Sequence, residues 1–509
     1  MAAAVDLSAD PAGPGSADLL AMPFFDGPRP GPGVRDAERA LGVPLTDMLR
    51  QQAFRGHCGE FSTFLIPGDT GTRAIAAIGV GAAGDQSAAI RDAAQRLATQ
   101  AAGWTSVATT LALLGTDRAA SVRAAAEGFL LGSYRFSKAG SRPVEGERPA
   151  PPGRLTLLVE DVSSASADAL DRGVIVGESA NWVRDLVHAP AATATPAALA
   201  EQIAARAVRH GLEARIWTAR ELERQGFGGV LGVGQGSRNE PSLVEIVHAG
   251  APGRPLALTG KGITFDSGGL NLKRDPDEIA WMRSDMAGGA AAAAAVIAAA
   301  ALALPVHAVG VVPLAENMPG GGSVRPGDVL THRGGRTCEV MDTDAEGRLV
   351  VADVIAYLAE RNPAALIDVA TLTDAGGIGH ALWAAMGTDQ ALLREVLDAG
   401  EVAGEPGWQL PLREEYRVLF TSLSADLRNT PRHGADTAVM AATFLREFAA
   451  DAPWVHIDNG STAWLEFDTQ LWPEGATGSP ARALIRFLEG RAAGSGGSPP
   501  PPAAAQPAR

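Results

Sequence analysis

Apolar residues along this chain come in two kinds of run. Some are short, near-continuous and bounded by Gly or Pro, which predicts strands; others are longer and follow a helical repeat. In the first part of the chain STFLIPG (62–68) and TRAIAAIGVG (72–81) predict strands, and 86–103 predicts a helix. A strand over 105–114, a helix over 121–136 and a last strand over 154–161 follow. Strands alternating with helices predict an α/β unit with a parallel or mixed sheet. Residues 1–33 are rich in Ala, Gly, Pro and Asp and predict a loose arm, which leaves 34–164 as a first domain and 165–187 as a connecting helix.

A larger α/β domain is expected over 188–490. Thr195 and Pro196 suit the cap and first turn of its opening helix. LVEIVHA (243–249), PLALTGKGITF (255–265), PVHAVGVVPLAENM (305–318) and ALIDVATLTDA (365–375) predict strands. The third is almost continuously apolar, as a strand buried in a parallel sheet must be. Functional groups in such sheets collect at the carboxyl ends of the strands. Residues 286–304, MAGGAAAAAAVIAAAALAL, approach the length of a membrane span. They are mostly alanine, start directly behind Asp285 and end at Pro305, so they read as a buried helix with Asp285 at its positive end. The Pro- and Gly-rich tail, 491–509, is expected to be disordered.

Charge breaks this apolar pattern in two places. In MDTDAEGRLVV (341–351), Asp344, Glu346 and Arg348 occupy every second position and share one side if the segment is extended. In 258–285, Lys261, Asp266, Lys273 and Asp285 lie in a Gly-rich run that permits tight turns. Hard divalent cations take several oxygen ligands, and Asp266, Asp285, Asp344 and Glu346 carry about the charge that two such ions need. The competing reading is an ion-pair cluster in which acids, lysines and arginine neutralise one another. GVGAAGD (79–85) is either a phosphate-binding loop or, more simply, a strand-to-helix turn.

Composition narrows the partners. Across 509 residues the net charge is −15, which opposes bulk attraction to nucleic acid or anionic membranes. Two distant cysteines, Cys58 and Cys338, point to a reducing compartment rather than a disulfide framework. The N-terminus has acids and no basic stretch before an apolar core, so it does not read as a signal peptide. A cytoplasmic location is expected. No HExxH or GxSxG motif is present, and His332, His380 and His456 are read as structural.

GKGITFDSGGLNLK (260–273), MRSDMAGGA (282–290), ENMPGGGSVRPGDVL (316–330) and DTDAEGRL (342–349) together resemble the leucyl aminopeptidase (cytosol aminopeptidase, M17) family. A weaker likeness in the first domain centres on AAEGFLLGSYRFSK (125–138). The resemblance implies a small macro-like N-terminal α/β domain and a large catalytic α/β domain with a central mixed sheet flanked by helices. It implies an aminopeptidase that uses two divalent cations, Mn²⁺ or Zn²⁺, and a water bridging them. By motif match Asp266 and Glu346 bridge both ions, Lys261 and Asp285 complete the tighter site, and Asp344 serves the exchangeable one. Lys273 polarises the scissile carbonyl, and Arg348 holds a bicarbonate that acts as base. Met282, Thr371, Leu372 and Asp374 match substrate-pocket positions. Peptides with a free amine are the implied substrates and a homohexamer the implied assembly.

Several positions depart from the family pattern. Asp342 stands where the family has Asn, and Asp374 where it has Gly in a substrate-lining loop. About one extra residue lies between Lys273 and Asp285, and an Asn is missing before Thr195. These changes argue against a simple leucine preference and keep rival readings open: a metal-dependent hydrolase with basic or non-peptide substrates, a phosphoesterase, or a regulatory, DNA-binding member.

Overall fold

The computed structural model describes residues 3–9, 17–66, 72–82, 86–136 and 149–494. The chain forms two compact units, Met1–Trp182 with Glu466–Glu474, and Val183–Leu465 with Gly475–Arg509. The expected helix between domains is Ser164–His188, and the division falls within it rather than at its end. The return of Glu466–Glu474 to the first unit was not expected from a linear reading of the chain.

The first unit is built on seven strands: β1 (Ala4–Ser8), β2 (Leu19–Phe25), β3 (Arg29–Pro30), β4 (Phe61–Leu65), β5 (Ala74–Gly81), β6 (Ser106–Thr109) and β7 (Arg154–Leu158). Their order is β1-β7-β6-β2-β5-β4, with β3 on β2. The expectation of a loose arm over 1–33 is therefore corrected. LLAMPFF is an interior strand, parallel to β5 and β6, with Leu19, Ala21, Met22 and Phe24 fully buried. Flanking Gly and Pro residues mask this apolar run in a composition window, but burying it is strongly favourable. The strand expected over 105–114 ends at Thr109 and tightens into a short 3-10 turn, Leu111–Leu113. Of the GVGAAGD segment, residues 83–85 lie outside the described residues. Cys58 and Cys338 are free thiols.

The second unit carries β8 (Glu213–Trp217), β9 (Ser242–Ala249), β10 (Leu256–Gly260), β11 (Ile263–Asp266), β12 (His307–Asn317), β13 (Val329–Thr331), β14 (Thr337–Glu339), β15 (Ala365–Ala370), β16 (Trp383–Gly387), β17 (Gly407–Gln409), β18 (Leu427–Arg428) and β19 (Trp454–Asp458). Nine of these form one sheet in the order β17-β16-β19-β15-β10-β12-β9-β8, with β11 on β12. The central strands β12, β10, β15 and β19 run parallel, and the antiparallel β9 and β16 flank them. The sheet is thus mixed, and every residue of the parallel strands β10, β15 and β19 is buried.

The alanine-rich run forms helix Ala287–Ala301. A Cβ on Gly288 would sit 2.0 Å from the Val369 carbonyl oxygen, and one on Gly260 would sit 2.4 Å from the Gly288 backbone. Only residues without side chains permit this approach, so the small residues of the run are a packing requirement. The stretch Pro276–Ala301 is apolar enough to cross a membrane, yet 89% of its apolar window is buried within the fold. Helix Ala481–Gly494 runs four residues past the expected domain end at 490, and residues 495–509 lie outside the described residues.

Candidate metal centre

The carboxyl ends of the central strands deliver the motif residues to one place. Gly260 ends β10 and is followed by Lys261; β11 ends on Asp266; β12 ends on Asn317; Ala370 ends β15 and is followed by Thr371. Asp285 closes a 3-10 turn, Met282–Ser284, two residues before helix Ala287–Ala301.

The condition of an extended 341–348 is not met. Residues 341–346 form a turn, Glu346 caps the helix Gly347–Ala359, and Arg348 is its second residue. From this turn Asp344 and Glu346 reach Lys273 and Lys261, whereas Arg348 pairs with Asn429 and Asp436. The Oδ1 of Asp342 accepts the Asp344 amide at 2.9 Å, so it closes the turn instead of paralleling Asp344. A Cβ on Gly347 would lie 2.4 Å from Lys261 Cε, so glycine is what lets the lysine pass.

Lys261 Nζ lies 2.7 Å from Asp285 Oδ2 and 2.6 Å from Glu346 Oε1, and donates to the Thr371 carbonyl at 3.2 Å. Lys273 Nζ lies 2.7 Å from Asp344 Oδ1 and 3.1 Å from Asp266 Oδ2. Both lysines and all four acids therefore meet, and the carboxylates outnumber the ammonium groups by two. Burial drives Glu346 up to about 8, reinforced by the Asp266 carboxylate. Burial likewise raises Asp285 to about 6, and raises Asp344 to about 6 with Asp266 adding to it. Burial alone would lower Lys261, but Asp285, Glu346 and Asp266 outweigh it and hold its pKa above the ordinary value; Lys273 is raised in the same way by Asp266 and Asp344.

Asp285 Oδ2, Asp344 Oδ1 and Glu346 Oε1 are buried and meet only a lysine ammonium, and Glu346 Oε2 is buried with no partner among the described residues. Buried carboxylate oxygens are costly without a donor or cation. Ligand oxygens of Asp266, Asp344 and Glu346 lie within 4.8 Å of one another. Excess negative charge, an orphaned oxygen and an all-oxygen donor set with one amine fit hard divalent cations.

Uncharged residues that the sequence did not single out hold this cluster in place. Asn317 Nδ2 donates to Asp266 Oδ1 at 2.7 Å and to the Thr343 carbonyl at 3.0 Å. Thr343 Oγ1 donates to the Gly268 carbonyl at 2.7 Å and accepts the Asn271 amide at 2.8 Å, stitching the two motif loops together. Asn429 accepts the Met341 amide at 2.7 Å and donates to the Asp342 carbonyl at 2.6 Å, clamping the turn from another side. Asn271, Asn317 and Thr343 lie inside the motifs and Asn429 far beyond them in sequence, and none carries a charge that would flag it.

The pocket positions separate. Thr371 Oγ1 donates to Asp285 Oδ1 at 2.6 Å, so it orients a candidate ligand. Leu372 would meet a Cβ on Gly347 at 2.7 Å, which places it against the cluster. Met282 begins the turn that ends at Asp285, whereas Asp374 is exposed, next to the 3-10 turn Ala375–Gly377. The guanidinium of Arg348 is already engaged: Nη1 donates to the Asn429 carbonyl at 2.7 Å and to Asp436 Oδ1 at 3.0 Å, and Nη2 lies 2.8 Å from Asp436 Oδ2. His332 and His456 donate Nδ1 to Asp353 (2.8 Å) and Asp368 (2.6 Å) in fully buried pairs, consistent with structural roles.

The carboxyl edge of this α/β sheet thus carries a cluster of acids and lysines whose donor set suits divalent cations. The catalytic-domain profile of the cytosol aminopeptidase family matches residues 181–485, and the N-terminal-domain profile of that family matches 21–143. A probable cytosol aminopeptidase of Syntrophotalea carbinolica is 37% identical over 469 residues, covering 90% of this chain and 94% of the relative. One from Nocardia farcinica is 40% identical over 458 residues, covering 88% and 89%. Among solved structures, the bottromycin maturation enzyme BotP in complex with Mn aligns with a TM-score of 0.82 at 33% identity, covering 94% of this chain and 100% of that one. The chain belongs to the cytosol aminopeptidase family.

Proposed function

We propose that this protein is a two-cation aminopeptidase of the leucyl aminopeptidase type, cleaving the N-terminal peptide bond of substrates with a free amine. The observation that carries this reading is the convergence of four carboxylates on only two lysines at the carboxyl edge of the sheet, with Glu346 Oε2 buried and unpartnered among the described residues. Mn²⁺ or Zn²⁺ held by Lys261, Asp266, Asp285, Asp344 and Glu346 would polarise the substrate carbonyl and make a bound water nucleophilic at neutral pH. Lys261 must lose its proton to ligate, which the charge of a neighbouring dication favours. Lys273 keeps its proton and donates to the oxygen that gains charge. Arg348, two residues beyond Glu346, presents its fork to a carboxylate-type group that takes a proton during the reaction. For bicarbonate to fill that role, Asp436 would first have to withdraw. Met282, Thr371, Leu372 and Asp374 border the substrate side chain.

A cytoplasmic homohexamer acting on peptides, without nucleic-acid partners, completes the proposal. It is tested with purified protein, chelated and then reloaded with Mn²⁺ or Zn²⁺. Metal-restored hydrolysis of Leu-, Met-, Arg-, Lys- and Asp-aminoacyl amides, and none of the N-acetylated forms, is expected. A protein that leaves every free-amine substrate intact while cleaving phosphoesters overturns it.

A further inference from the structure

Strands β15 and β19 run side by side with Ala370 opposite Asp458, so the segments that leave their carboxyl ends start as neighbours. The first of these, residues 371–374, borders the cation centre, and its two threonines are tied to different places. Thr371 is tied to the centre: its carbonyl accepts Lys261 Nζ at 3.2 Å and its hydroxyl donates to Asp285 Oδ1 at 2.6 Å. Thr373 is tied to β19 instead, its hydroxyl donating to Asp458 Oδ2 at 2.6 Å. Asp458 is fully buried, and its other oxygen accepts the Gly460 amide at 3.1 Å. The neighbouring buried acid, Asp368, makes the contrast. It accepts His456 Nδ1 at 2.6 Å and Trp454 Nε1 at 2.7 Å, so it joins strand to strand, whereas Asp458 joins a strand to a loop. The backbone strengthens the same attachment. Asn459 donates its amide to the Ala370 carbonyl at 3.1 Å. A Cβ on Gly460 would stand 1.8 Å from the Thr373 carbonyl oxygen, so the loop rests directly on 458–460. The loop therefore has one anchor on the cation centre and one on β19, with Leu372 between them and Asp374 just beyond.

We infer that Asp458 is a positioning residue for substrate selection: through Thr373 it fixes the loop 371–374, and with it the places of Leu372 and Asp374 relative to the residue being removed. The inference deepens the aminopeptidase reading and rests on it for the effect on substrates; the anchoring of the loop stands apart from it.

The experiment uses the full-length protein loaded with Mn²⁺. Thr373→Val keeps the shape of the side chain and removes the hydroxyl. Its KM for the best aminoacyl amide should rise about tenfold, the scale of one hydrogen bond to a charged group, with kcat within about threefold of wild type. Its preference among Leu, Met, Arg, Lys and Asp amides should flatten, and Thr373→Ser should bring both properties back. Asp458→Asn should act in the same direction, and the double variant with Thr373→Val should be no worse than the more impaired single variant, because the two changes remove one contact. Mn²⁺ affinity, read by competition with a chelating dye, should stay within about twofold in every variant, which separates the loop from the centre. Hydrogen exchange across 371–378 reads the anchor without turnover: faster in Thr373→Val, and as in wild type in Thr373→Ser. If wild type cleaves no amide, the aminopeptidase reading fails while the exchange result still decides the anchor. Exchange unchanged in Thr373→Val overturns the anchor. Faster exchange with KM and preference unchanged overturns its part in selection. Thr373→Val decides both points even if Asp458→Asn does not fold.

Discussion

Glu346 and Asp353 stand seven residues apart at the start and in the middle of one helix, Gly347–Ala359, and both are essentially inaccessible to water. Asp353 is fully employed. Its Oδ1 accepts His332 Nδ1 at 2.8 Å and the Arg333 amide at 2.9 Å, and its Oδ2 accepts the Val230 amide at 3.0 Å. It ties that helix to helix Gly228–Gly234 and to the β13–β14 hairpin. Glu346 meets only Lys261, at Oε1, and its Oε2 has no partner among the described residues. Both carboxylates are removed from water, so the difference lies in their partners. A carboxylate surrounded by amides is part of the scaffold; one left with a bare oxygen is waiting for a cation.

The sharpest way to break this contrast is to neutralise each acid in turn. Glu346→Gln should lower kcat/KM by roughly a thousandfold, several kcal/mol of barrier, with the fold retained. Asp353→Ala should leave three donors unsatisfied and cost about 3 kcal/mol or more in urea unfolding, with activity per folded molecule preserved. Activity loss tracking unfolding in both variants would erase the distinction.

Metal addition gives the next largest effect. Mn²⁺ at about a hundred times its Kd should stabilise wild type by about 2.7 kcal/mol. The same stabilisation should persist in Asp353→Asn and vanish in Glu346→Gln. Asn317→Ala tests the scaffold of the centre itself. Losing its hydrogen bond to Asp266 should weaken metal affinity roughly 10- to 100-fold, measured by competition with a chelating dye, with little change in Tm of the metal-free protein.

His188 supplies the smallest effect and a third kind of ionisable group, half-buried and kept neutral. It donates Nδ1 to the Arg184 carbonyl at 2.9 Å and accepts the Ala476 amide at Nε2 (3.3 Å). Burial, followed by the nearby Arg184 and Arg283 charges, lowers its pKa from 6.5 to about 4. The unfolded chain therefore binds the proton more readily. The stability His188 contributes is complete above pH 6.5 and lost as pH falls toward about 4. Unfolding at pH 7 and pH 5 should differ by on the order of 1 kcal/mol more in wild type than in His188→Gln. An equal pH response in both proteins would remove His188 from the account.

Much of the second unit was legible in the sequence because its parallel strands are continuous apolar runs, and a run of that kind has few other places to go. The charged members of the centre were legible because acid and lysine stand out in Gly-rich apolar surroundings. Elsewhere one-dimensional reading failed for identifiable reasons. Spacing by two implies a shared side only on a strand; here 344 and 346 reach the lysines from a turn, while 348 lies in a helix and pairs with Asp436. Leu19–Phe25 was hidden because a composition window averages its apolar residues with neighbouring Gly and Pro. Asn317, Thr343 and Asn429 have no local signature of importance, since an amide or hydroxyl matters only for what it meets.

By itself the sequence determined the α/β class, the helix made of alanines, the chemistry available at the centre and membership of the cytosol aminopeptidase family. Those properties reside in residue type and local order, which folding does not change. The tertiary structure alone decided that the supposed arm is an interior strand and that residues 341–346 form a turn. It also decided which carboxylates are satisfied, and that Asp436, 88 residues from Arg348, fills its fork. Burial and hydrogen bonding at such separations are properties of juxtaposition, and juxtaposition exists only once the chain has packed.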